Sequence, residues 1–118
     1  MTTPVSDPGT WTPVCRVAQL EVERGATALV HGQAVAVFRM HDDQVYVLGN
    51  YDPFSKASVL ARGIVGTRGD TPFVASPMYK QGFDLRTGRC LDDDTVGVPI
   101  YAVRVVEGVV LVGGRSAP

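Results

Sequence analysis

Residues 25–50 read GATALVHGQAVAVFRMHDDQVYVLGN, and the spacing of their apolar side chains decides the fold class. Gly25–Val30 and Gln33–Met40 are strand-length runs of small and β-branched residues on either side of His31-Gly32, a two-residue hairpin signal. Side chains alternate across a strand. In the second arm Ala34, Ala36, Phe38 and Met40 therefore point one way, and Gln33, Val35, Val37 and Arg39 the other. The turn at Asp42-Asp43 leads into a third strand, Gln44–Gly49.

The same pattern extends outward. Trp11–Arg16 reads as a first strand and Thr71–Ser76 as a later one. Gly82–Leu91 reads as a short hairpin about Thr87-Gly88. Tyr101–Glu107 and Val109–Gly113 form a closing pair about Gly108. With 13 glycines and 8 prolines as punctuation, the chain is expected to hold eight to ten short strands and to be all-β. Helical periodicity is absent over any dozen residues. The exception is local: Asp52-Pro53 has the form of an N-cap followed by proline at the first helical position. At most one short helix is expected near 53–62, inside a loop-rich stretch from Asn50 to Gln81. Loops on a rigid β scaffold are where function concentrates.

Composition bounds the rest. A chain of 118 residues is one domain, large enough for a single core without staples. Hydrophobic residues make up 45% and charged residues 19%, which is neither a disordered nor a fibrous composition. The net charge of −1 opposes binding to nucleic acid or to an acidic membrane surface, both of which need a net basic face. The longest clean apolar runs, Ala34–Phe38 and Val109–Val112, are far shorter than the ~18 residues of a membrane span. The first ten residues, MTTPVSDPGT, lack the basic and apolar segments of an export signal. A cytoplasmic location with reduced cysteines follows.

Candidate chemistry is sparse. His31 and His41 read as exposed turn residues, and Cys15 and Cys90 as small side chains on strands, unpaired in a reducing compartment. Asp92-Asp93-Asp94 lacks the spaced oxygen ligands and glycine of a calcium loop. Arg68-Gly69-Asp70 reads as a turn. No glycine-rich phosphate loop and no nucleophile–base arrangement is present. No catalytic, cofactor-binding or metal-binding residue is expected in this chain alone.

Three segments carry a family resemblance. WTPVCRVAQLEVERGATALVHGQAVAVFRMHDDQVYVLGN resembles the base strands of Rieske ferredoxins. NYDPFSKASVLARGIVG stands where those proteins have a first Cys-Pro-His loop, and SPMYKQGFDLRTGRCLDD where they have a second, Cys-Pro-x-His-Gly-Trp-x-Phe. The ordered elements KQ, FDL and GRCLDD are more narrowly similar to the small subunit of bacterial NAD(P)H-dependent assimilatory nitrite reductase. The resemblance implies a Rieske-like domain at 11–114, with antiparallel strands in stacked small sheets and a vestigial cluster-binding subdomain. It leaves 1–10 as a disordered or extended tail and 115–118 as a C-terminal tail.

It also implies a reaction, the six-electron reduction of nitrite to ammonium, with FAD, siroheme and an iron–sulfur cluster in a large catalytic subunit that is this chain's partner. At the four positions matching the Rieske ligands stand Asp52, Phe54, Ser76 and Tyr79. A Rieske centre needs two thiolates and two imidazoles. Two cysteines and two histidines are present, the right number, but Cys15, His31, His41 and Cys90 all lie outside the loops and no Cys-x-His or Cys-x-x-His pair exists. The chain is expected to be an accessory subunit without a cluster, the alternatives being a Rieske-type electron carrier or a stand-alone β adaptor. Pro53, Phe54, Met78, Tyr79, Lys80 and Gln81 are the candidate partner contact; Phe54 and Tyr79 could instead turn inward and fill the space a cluster would occupy.

Overall fold

The computed structural model describes residues 11–116; the expected tail at 1–10 and the last two residues lie outside it. Among the described residues there are eleven strands: β1 (Thr12–Arg16), β2 (Gly25–Val30), β3 (Gln33–Arg39), β4 (Val45–Gly49), β5 (Tyr51–Asp52), β6 (Ala57–Ser58), β7 (Ile64–Arg68), β8 (Thr71–Ala75), β9 (Gly82–Asp84), β10 (Ile100–Val106) and β11 (Val109–Ser116). They form a six-stranded antiparallel sheet in the order β1-β11-β10-β4-β3-β2, a two-stranded β5-β6 ribbon and a three-stranded sheet β7-β8-β9. The fold is all-β and Rieske-like.

The β3–β4 pair explains the arrangement, because both of its faces are buried. Val35, Val37, Val45 and Val47 belong to one apolar cluster, together with Ala26 and Ala28 of β2, Val14 and Cys15 of β1, Tyr101 of β10 and Val110 and Val112 of β11. Every strand of the large sheet thus contributes one face to a common interior, so the sheet curls around it. Ala36, Phe38, Met40 and Leu48 point the other way, into a second cluster completed by Val74, Phe83 and Leu85 of the small-sheet half. The register Ala36↔Leu48 and Val37↔Val47 keeps the two faces separate. A one-residue slip would exchange them.

Two hairpin turns follow from their sequences. His31 and Gly32 have φ of 50° and 79°, and Glu107 and Gly108 have 51° and 81°. Consecutive positive φ values are those of the two-residue turn that matches strand twist.

Two expectations need correction. Asp52 caps no helix but ends β5, although the stretch near 53–62 does stay within the one short helix expected, with a 3-10 turn at Leu60–Arg62. Ile64–Arg68, expected as loop, is a strand paired along its length with β8. A second 3-10 turn lies at Val17–Gln19. The last strand runs past Gly114, with Arg115 opposite Tyr101 and Ser116 opposite Ile100.

Candidate functional site

The two loops that interrupt the strands, 52–56 and 76–80, meet through their first residues. Asp52 and Ser76 are fully buried, and the Ser76 hydroxyl donates to Asp52 Oδ2. The carboxylate also accepts from the Phe54 N–H to Oδ1 at 2.9 Å and from the Ser55 hydroxyl to Oδ2 at 2.9 Å. Ser76 Oγ in turn accepts from the N–H groups of Met78 and Tyr79, each at 3.2 Å. A buried carboxylate is tolerated only when its oxygens are hydrogen-bonded, and these donors supply that.

The loops have matching backbones. The Lys56 N–H donates to the Asp52 carbonyl at 2.8 Å, and the Lys80 N–H to the Ser76 carbonyl at 2.9 Å. Lys56 and Lys80 both lie in the left-handed region, with φ of 58° and 66°. Each loop therefore starts at the joined pair and closes four residues later on a lysine.

Their feet are fixed separately. Asn50, buried at the end of β4, holds the first loop: its Oδ1 accepts from the Ala61 N–H at 2.8 Å and its Nδ2 donates to the Ser58 carbonyl at 3.1 Å. Nothing in the local sequence singled Asn50 out, because its partners lie eight and eleven residues on. Asp92 holds the second loop, accepting from the Gly82 N–H at 2.8 Å and from Arg68 at 3.3 Å. The Gly82 N–H above all holds the Asp92 carboxyl below the ordinary carboxylate range; burial opposes it, and the hydrogen bond and charge of Arg68 add to the lowering.

The remaining side chains divide. Phe54 is half-buried and packs against the second cluster, its ring 5.9 Å from that of Phe83. Pro53 and Gln81 are half-buried as well, whereas Met78, Tyr79 and Lys80 are exposed. Phe54 thus fills space inward and Tyr79 does not.

The donor set does not fit a Rieske cluster. Phe54 offers carbon, and Tyr79, Ser76 and Asp52 offer oxygen where thiolate and imidazole are required. The direct Asp52–Ser76 contact also occupies the gap between the positions where two thiolates would stand. Among the described residues no group of three or more His, Cys, Asp or Glu is placed to hold a metal ion.

The other sequence candidates are placed elsewhere. Cys15 faces the curled-sheet interior and Cys90 the second cluster, and both are free thiols. Burial pushes the Cys15 thiol up. His31 sits in its turn within 3.3 Å of Thr12 Oγ1, and His41 lies 3.4 Å from Glu23. Asp93 folds back on Thr95, whose hydroxyl and N–H lower its pKa. Arg68 of the Arg-Gly-Asp turn is engaged by Asp92 and stacks 5.0 Å over the Phe73 ring. Among the described residues no helix is long and apolar enough to cross a membrane.

Comparison with known proteins places the fold in a known family. Residues 10–113 match the family model of the Rieske-like [2Fe-2S] domain. The chain is 40% identical over 105 residues to the nitrite reductase (NADH) small subunit of Escherichia coli K12, covering 88% of this chain and 97% of that one. It is also 39% identical over 106 residues to part of the nitrite reductase [NAD(P)H] large subunit of Klebsiella oxytoca, covering 90% of this chain but 11% of that protein. Among solved structures, a candidate NADH-dependent nitrite reductase small subunit from Mycobacterium tuberculosis superposes with a TM-score of 0.85 at 48% identity, covering 87% of this chain and 93% of that one. The ferredoxin of carbazole 1,9a-dioxygenase from Nocardioides aromaticivorans superposes with a TM-score of 0.76 at 27% identity, covering 92% and 98%.

Proposed function

The chain belongs to the Rieske-like domain family, in its branch of nitrite reductase small subunits, and from that premise we propose that it is the accessory subunit of an NAD(P)H-dependent nitrite reductase. In this reading the reduction of nitrite to ammonium takes place on a large subunit that carries FAD, siroheme and an iron–sulfur cluster. This chain holds none of them, works in the cytoplasm and acts by association. The observation that carries the proposal is the recurrence of the whole domain inside a protein named as a large subunit. A domain attached to a large subunit in one relative and separate in others supports association of this chain with such a subunit, at one copy each.

The site chemistry supports an accessory role. At the two loops Asp52, Phe54, Ser76 and Tyr79 offer neither thiolate nor imidazole to hold a Rieske cluster, and the Ser76 hydroxyl that meets the Asp52 carboxylate is fully buried, away from any substrate. The test is co-expression with the large subunit. The two should co-purify in a 1:1 ratio, and omission of this chain should lower nitrite-dependent NAD(P)H oxidation or the lifetime of the complex. Separate elution with unchanged activity would overturn the proposal.

A second reading, an electron carrier, draws on the likeness of the scaffold to a dioxygenase ferredoxin. It requires about two irons and two sulfides per chain with visible absorption, and iron and sulfide analysis after anaerobic expression decides it.

A further inference from the structure

Resting on the reading of the chain as a small subunit, we infer that the two-loop end is the surface that meets the large subunit, and that it recognises an apolar patch bearing carboxylates there. Three large side chains are exposed at this end: Tyr51 at 52%, Met78 at 63% and Tyr79 at 58%. Tyr51 precedes Asp52, and Met78 and Tyr79 follow Ser76 by two and three residues, so all three flank the buried hydrogen bond that joins the loops. Exposed aromatic and methionine side chains are the types that anchor protein interfaces.

The charges identify the chemistry of the partner. Lys56 and Lys80 are exposed, and they occupy the same place in the two loops, four residues beyond the joined pair. Both take the left-handed conformation, which glycine or asparagine adopts more readily; the backbone there does not favour lysine. Within 50–58 and 76–81 the sole carboxylate is Asp52, buried and bonded to Ser55 and Ser76. Asp92, at the foot of the second loop, is taken up by Gly82 and Arg68. No ion pair engages either lysine among the described residues. The chain as a whole carries −1, whereas the two loops set two exposed lysines against the single buried Asp52. Two lysines beside aromatic and thioether groups suit a few carboxylates around an apolar patch; a polyphosphate backbone calls for a broader basic face. Such rim charges set association rate and partner choice.

The test measures the affinity of the full chain for the isolated large subunit at low and high salt. The Lys56→Glu/Lys80→Glu variant should bind about tenfold or more weakly at low salt, and the gap should narrow at high salt as the charges are screened. Lys56→Arg/Lys80→Arg should stay within about twofold of the unaltered chain. Arg16→Glu, a reversal beside the β10–β11 turn, should do the same. Circular dichroism confirms that each variant is folded. Glutamate variants that bind within about twofold of the unaltered chain, or an Arg16→Glu loss of equal size, would overturn the inference while leaving the small-subunit reading intact. Failure of the unaltered chain to bind the large subunit at all would overturn both.

Discussion

Replacing Ser76 with alanine should separate the two loops at the point where they are joined. The substitution removes one oxygen with three contacts: it donates to Asp52 and accepts from the N–H groups of Met78 and Tyr79 at 3.2 Å. The first contact is buried and charge-assisted, so its loss costs about 1.5–3 kcal/mol. The two N–H groups sit at the exposed end and can turn to water, so each adds about 0.5 kcal/mol. Asp52 keeps two donors, Phe54 N–H and Ser55 hydroxyl, which prevents the larger penalty of an abandoned buried charge. The sum is about 2.5–4 kcal/mol, a large part of the ~5–15 kcal/mol that stabilises a domain of this size.

Urea unfolding read by tryptophan fluorescence measures it: with a slope of about 2 kcal/mol per molar, the midpoint should fall by roughly 1–2 M. A double-mutant cycle with Asp52→Ala isolates the contact, and the two substitutions should fall short of additivity by about 1.5–3 kcal/mol. A Ser76→Ala cost under ~1 kcal/mol together with additive effects would refute the assignment of this pair as the cross-link between the loops.

Other outcomes follow from the packing and the pKa shifts. Gly25→Ala places a Cβ 2.1 Å from the Ala61 carbonyl oxygen, so the 3-10 turn must move off β2 at a cost of about 1–3 kcal/mol in the same unfolding assay. The Asp92 carboxyl is ionised to lower pH in the folded chain than in the unfolded one. Its stabilisation is therefore complete above the ordinary carboxylate range and fades as pH falls through the lowered folded value. Asp92→Asn should be less stable than the unaltered chain at neutral pH, by a modest amount because the group is exposed, and thermal unfolding curves of the two should converge in strong acid. At pH 8 iodoacetamide should modify Cys15 more slowly than a free thiol, since burial raises its pKa and the thiolate is the nucleophile. Cys90, 4% exposed, should react only on unfolding, which mass spectrometry of labelled peptides distinguishes.

The readable part of the fold was the part governed by short-range pattern. Residues 25–50 alternate so regularly that both faces of β3 can be assigned from sequence, and the structure shows why both are apolar: each faces its own core. The two positive-φ hairpin turns were legible from His31-Gly32 and from Gly108. Strand β7 was not, because Gly63, Gly66 and Gly69 break its run into fragments; its pairing with β8 supplies the order that its own sequence lacks.

The site shows the same division. That Asp52, Phe54, Ser76 and Tyr79 replace sulfur and imidazole is a matter of residue identity and needed no coordinates. What Asp52 does instead was hidden. Asp-Pro reads locally as a helix start, whereas the carboxylate bonds to a serine 24 residues away. Asn50 was overlooked for the same reason, since its value lies in contacts that form only after the chain has folded back on itself. The matching left-handed lysines were visible as residues but not as a pair, because their equivalence rests on the two carbonyl contacts at the start of each loop.

The proposed function requires that the chain needs no cluster of its own and acts by joining a large subunit. Its most direct test is reconstitution. The chain is dialysed against chelator, shown to contain no iron, and titrated into large subunit purified without it while nitrite-dependent NAD(P)H oxidation is followed. The metal-free chain should form the complex and saturate its effect on the activity or its persistence at one equivalent. An effect that appears only after iron and sulfide have been restored to this chain would contradict the cluster-free accessory role.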